Sequence, residues 1–148
     1  MNAIHLHLIL NHFPTVGFII VLFIFLHGLY RKNEEFNFVS LWFIIVLSVI
    51  TIFVYLSGEG AEELLKNKLD KEHIEIHESF GKISLYLSIV LGLLSAFSLI
   101  TKKLRWLVLI LLIINILSLG ITSFYGAQIR HEEIRNLPIK KEVRNYER

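Results

Sequence analysis

The sequence predicts an all-α integral membrane protein, a four-helix antiparallel bundle. Of its 148 residues, 54% are hydrophobic, and the mean hydropathy is +0.60. A soluble domain of this size could not cover so much apolar surface. The apolar residues also gather into four long blocks, each able to cross a hydrocarbon core of about 30 Å as a helix. Charged connectors separate the blocks.

The first block runs from Ala3 to Tyr30. As one helix it would be roughly 40 Å long, more than a span needs. Phe13 to Tyr30 is nearly enough, so the span is placed at about 13–30. The start before it lies at the membrane surface or in the mouth of the bundle. Pro14 lacks an N–H and disfavours helical geometry at Phe13, which predicts a break there. Asn11 is placed to cap a helix starting near Pro14. A single kinked helix is the alternative.

The turn "RKNEEFN" leads to a second span at about 38–56. The longest polar region, "SGEGAEELLKNKLDKEHIEIHES", comes next, and its middle has helical character. A third span covers about 80–100, the connector "TKKLR" follows, and a fourth covers about 106–125. Residues 1–134 form the membrane domain, and 135–148 are a charged tail. The N-terminus has neither a basic leader nor a small-residue cleavage site, so the first block reads as a retained segment.

Four spans put both ends and the long middle connector on one side, here side A. The two short connectors lie on side B. This topology gathers the histidines. His5, His7 and His12 precede or open the first span; His73 and His77 precede the third; His131 follows the fourth. Of seven histidines, only His27 lies towards side B. Polar groups at membrane depth are costly and are usually kept for function.

Two neutral imidazoles from different helices of a bundle suit haem b. His12 and His77 are the first choice of axial ligands, with His5, His7 and His131 as the remaining pool. The iron count is open at one or two haems. Arg130, Lys82 and Tyr125 stand near side A as partners for propionates, and Tyr55 and Tyr125 could hydrogen-bond a quinone. Glu78 and Glu133, each close to a histidine, could orient an imidazole. Small residues recur every four positions at Ser84, Ser88, Gly92 and Ala96 and at Ser118, Thr122 and Gly126. Plain helix packing is the simpler reading of these stripes.

Other chemistries remain. A histidine–carboxylate site could hold zinc, copper or non-haem iron. Paired Glu-x-x-His motifs of a ferritin-like di-iron site do not occur, nor does HExxH. The chain has no cysteine, which removes disulfides, iron–sulfur clusters and covalently attached haem. A net charge of +2 without a basic stripe gives no nucleic-acid signal. No catalytic residues stand out. If the chain belongs to an enzyme, it is a quinone-linked membrane redox component. A third possibility is a cofactor-free structural subunit of a larger complex.

The stretches "HLHLILNHFP", "YLSGEGAEE", "IEIHESFG" and "GAQIRHEEI" together resemble a family of small bacterial four-helix membrane proteins classed as a domain of unknown function. Its pattern begins like HLHLxLNHxPxxG, continues with YxTGxxAEE and a HE opening the third span, and ends in GGxIRHxEI. The match covers His5, His7, His12, Pro14, Gly17, Tyr55, Gly58, Ala61, Glu62, Glu63, His77, Glu78, Gly126, Ile129, Arg130, His131, Glu133 and Ile134. Ser57 and Ala127 depart from the pattern, each small for small. The resemblance reaches Ile134 and leaves the tail uncovered.

More distant relatives are fused ahead of c-type cytochromes. The resemblance therefore implies an electron-transfer setting in a bacterial inner membrane, with side A and both termini in the periplasm. Glu62, in its AEE motif, joins Glu78 and Glu133 as a carboxylate that could orient an imidazole, and His27 and His73, outside the motifs, rank lower. Charge alone does not choose the orientation, because Arg31, Lys32, Lys102, Lys103 and Arg105 crowd side B while longer basic segments lie on side A. The partners implied are membrane lipid, a quinone or a redox protein, and a second copy or larger complex.

Overall fold

The computed structural model describes residues 3–65 and 71–130. They form five helices: α1 (Ala3–Leu10), α2 (His12–Arg31), α3 (Glu34–Leu65), α4 (Lys71–Thr101) and α5 (Arg105–Arg130). The fold class is as the sequence predicts. Four stretches, His7–Arg31, Glu34–Ala61, His73–Thr101 and Arg105–Ile129, are long and apolar enough to cross a membrane. The helices close a ring in which α2 packs on α3, α3 on α4, α4 on α5 and α5 back on α2. The short α1 lies against α3.

The break before α2 falls at Asn11, three residues ahead of Pro14. Proline cannot donate to the carbonyl four residues back and crowds it, and that carbonyl belongs to Leu10, the last residue of α1. The bend is shallow: Asn11 stays in right-handed helical geometry, and its N–H still reaches the His7 carbonyl at 2.9 Å. Asn11 makes no side-chain cap, contrary to the expectation from sequence. The two pieces behave as one kinked helix.

On side B the turns are tight. Lys32 is left-handed at φ 52°, which lets its own N–H and that of Asn33 return to the Leu29 and Gly28 carbonyls. The Asn33 side-chain oxygen accepts from the N–H groups of Glu35 and Phe36 at 2.9 and 3.2 Å, capping α3. Arg105 donates both terminal nitrogens to the two Glu34 oxygens at 2.8 and 2.6 Å. This fork ties the two short connectors together.

α3 and α4 both extend beyond the spans expected from sequence. α3 continues through "SGEGAEELL", and neither of its glycines has positive φ. Glycine weakens a helix interior by roughly 0.5–1 kcal/mol relative to alanine. At Gly58 the absent side chain leaves the space that His7 occupies.

The apolar core gathers Phe18, Val21 and Phe25 of α2, Leu41, Ile44 and Leu47 of α3, Leu91 of α4, and Val108, Leu109, Leu112 and Leu119 of α5. α4 contributes little to it. Its inward face is mainly Ser84, Ser88, Ser95 and Ser98, all buried, while Ile83, Leu93 and Phe97 face outward. An apolar exterior over a partly polar interior suits a lipid solvent. There, apolar burial does not drive helices together and close backbone approach does. Gly92 sets that approach between α3 and α4: a Cβ there would stand 2.9 Å from the Ser48 Cβ.

Gly92→Leu should therefore destabilise the bundle by about 1–3 kcal/mol, as overpacking does, and Gly92→Ala by less. Reversible denaturation in detergent measures both. A Leu variant as stable as the parent would contradict the α3–α4 contact.

Candidate functional site

Two histidines meet at side A. His7 comes from α1 and His77 from α4, and their ring centroids lie 6.5 Å apart with planes at 79°. Each ring is half-buried and held by its Nδ1. The His7 Nδ1 reaches the Val54 carbonyl at 3.1 Å and the Ser57 hydroxyl at 3.2 Å. The Ser57 hydroxyl donates to the same Val54 carbonyl at 2.7 Å, which leaves its lone pair for His7. The His77 Nδ1 reaches the Thr122 carbonyl at 2.9 Å.

A carbonyl oxygen only accepts, so both Nδ1 atoms carry the proton. The neutral tautomer is then fixed in each ring, and both Nε2 atoms keep a lone pair. This is how metal-ligating histidines are commonly oriented. The two rings depend on four helices, since α3 orients the one from α1 and α5 the one from α4.

Glycine makes room for both rings. A Cβ on Gly58 would lie 3.1 Å from the His7 Cε1, and one on Gly126 would lie 2.9 Å from the His77 Cε1. Neither glycine has positive φ, so space rather than backbone freedom is what they supply. Below His77, α4 and α5 are pinned in register. The Ser84 hydroxyl meets those of Ser118 at 2.7 Å and Thr122 at 3.0 Å, and the Ser88 hydroxyl donates to the Asn115 Oδ1 at 3.0 Å.

The remaining candidates fall as follows. The ring beside His77 is His7; His12 is exposed on α2, and His5 is exposed on α1. His73 is buried at the start of α4, and His27 packs edge-on against Phe36 near side B. Glu78 does not orient His77, a role the Thr122 carbonyl fills; it pairs with Lys82 at 2.7 Å. Tyr125 stacks on Phe80 with centroids 5.4 Å apart, and Tyr55 lies against Gly81. The side chains of Glu62 and Arg130, and all of His131 and Glu133, lie outside the described residues. Among the described residues, no group of three or more histidines and carboxylates gathers as a metal would need.

Sequence reasoning missed the orienting groups, because a main-chain carbonyl leaves no residue signature. Gly58 and Gly126 were the nearest legible sign of them.

The fixed tautomers are testable. In 15N spectra of histidine-labelled protein at mildly alkaline pH, His7 and His77 should both appear as Nδ1–H imidazoles. Gly126→Val should disturb His77 and leave His7 in place. Nε2–H tautomers in the parent protein would contradict the site.

Compared with protein-family models, with curated proteins and with solved structures, the chain has no match.

Proposed function

We propose that the protein is a membrane electron-transfer protein of the b-cytochrome kind, with His7 and His77 as the axial ligands of haem b. One observation carries the reading: two half-buried imidazoles from different helices stand 6.5 Å apart, each with its Nδ1 held by a carbonyl of a further helix, which leaves the Nε2 of each as the ligating atom.

Centroids 6.5 Å apart put both rings within reach of one metal centre. Two protein ligands also suffice for haem, whose porphyrin supplies the other four nitrogens.

Bound haem would supply a one-electron couple. The chain's own part is to hold both imidazoles correctly turned, with the Nδ1 proton on a carbonyl and the Nε2 left to ligate. Hydrogen bonds from Nδ1 to the Val54 and Thr122 carbonyls make each Nε2 a stronger donor, which favours the oxidised metal. The family resemblance supports the setting: a bacterial inner membrane, both termini periplasmic, a quinone in the membrane or a cytochrome outside as the electron partner, and a second copy or larger complex around it.

A second reading uses the same pair for zinc, copper or non-haem iron. Such an ion needs further protein ligands, for which His131, Glu133 and Glu62 are the sequence's candidates.

Protein extracted in mild detergent should show a reduced-minus-oxidised α-band near about 560 nm, with iron present. His7→Ala and His77→Ala should each lose most of the haem, whereas His27→Ala should keep it. Bound zinc, copper or iron without the α-band would select the second reading. Neither haem nor metal would leave a structural subunit.

A further inference from the structure

The serines of α4 continue past the histidine site. His77 is joined to Ser84 through Thr122, whose carbonyl accepts from the ring and whose hydroxyl lies 3.0 Å from that of Ser84. Ser88 follows one turn on with Asn115. At Gly92 the place is taken by Ser48 of α3, and Ser95 and Ser98 come next. At about 100° per residue, positions 84, 88, 92, 95 and 98 keep to one arc of about 120°. From Ser84 to Ser98 a polar side chain therefore stands at nearly every turn through the bundle.

Three of these groups have a buried atom with no partner among the described residues. They are the Ser95 and Ser98 hydroxyls and the Asn115 Nδ2, all on side chains with no exposed surface. A buried polar atom left bare is costly, because it gives up its hydrogen bonds to water and gains none. One helical turn is about 5.4 Å. Two O–H···O bonds of about 2.7–2.8 Å span the same length, so a single water can bridge polar atoms one turn apart. The ladder also has a mouth. A cleft of about 550 Å³ at side B is lined by apolar Phe38, Val39, Leu41 and Leu99, with the buried Ser98 at its wall and Glu34, Glu35, Lys102 and Arg105 at its polar end. The Arg105 Nε there is itself buried and unpartnered.

We infer that this seam is a water-bridged proton path through the bundle, running from the side B cleft at Ser98 along Ser95, Ser48, Ser88–Asn115 and Ser84 to the end that holds His77. Each oxygen takes a proton on a lone pair and releases its own to the next; Ser48 and Ser88 do so by turning their hydroxyls from the Ile44 carbonyl and the Asn115 Oδ1 that they donate to at rest, and every hydroxyl and water is regenerated. Asn115 holds a water in place. Leu91, fully buried, shares the arc between Ser88 and Ser95, so the row is not polar at every position. The path rests on the seam alone and stands whether or not the histidines hold haem.

The test uses the full-length protein in phosphatidylcholine vesicles with a trapped pH dye. A potassium gradient and valinomycin drive protons inward. Protein-containing vesicles should acidify faster than empty ones. Asn115→Leu should slow the entry about tenfold, the effect of about 1.4 kcal/mol on a barrier. Ser95→Ala, which removes one unpartnered oxygen without adding bulk, should slow it as well and serves if Asn115→Leu misfolds. Ile113→Ser, on an exposed face of α5, should leave it unchanged. Wild-type entry equal to that of empty vesicles, or Ser95→Ala equal to wild type, would overturn the path. So would sodium or potassium leakage without the ionophore, which would indicate an open pore. The haem spectrum plays no part in this readout, so the two readings fail independently.

Discussion

The structure depends on polar groups being satisfied inside a bundle whose outside is apolar. In lipid, helices gain little from burying leucine against leucine. What brings α4 to its neighbours is close approach at Gly92 and Gly126, and hydroxyls that find each other at Ser84, Ser118 and Thr122. Each interhelical hydrogen bond contributes only about 0.6 kcal/mol on average, so no single one decides the fold. Their main effect is to fix register. With α4 and α5 in register, the Thr122 carbonyl falls opposite His77. With α1 docked on α3, the Val54 carbonyl falls opposite His7.

The four spans were legible because length and hydropathy suffice to define them. The kink near Pro14 was legible too, since it follows from a missing N–H, although its position three residues earlier follows from which carbonyl loses its donor. The gathering of His5, His7 and His77 at one end follows from counting spans. Which histidine meets His77 did not follow. His5 and His12 are seven residues apart and share a face if the helix is straight, but the bend at Asn11 and the packing of α1 on α3 turn His7 inward. Only tertiary structure sets that turn.

The seam was half visible. Ser84, Ser88 and Gly92 face inward as their spacing suggests, but the next inward residue is Ser95, and Ala96 is only half-buried. A repeat of four drifts around a helix of 3.6 residues per turn, so the inward row shortens its step to three. Asn115 was a missed signal: a lone amide in the apolar run "LVLILLIINILSLG" is expensive unless it has a partner, and Ser88 is that partner.

The central claim is that His7 and His77 ligate one iron. Electron paramagnetic resonance of the oxidised protein at low temperature tests it most directly, because the spectrum of a low-spin bis-imidazole haem depends on the angle between the ring planes. With planes at 79°, the account predicts one strongly anisotropic low-spin signal, lost in His7→Ala and in His77→Ala. A rhombic signal from parallel rings, a signal that survives either substitution, or the absence of low-spin ferric iron would contradict it.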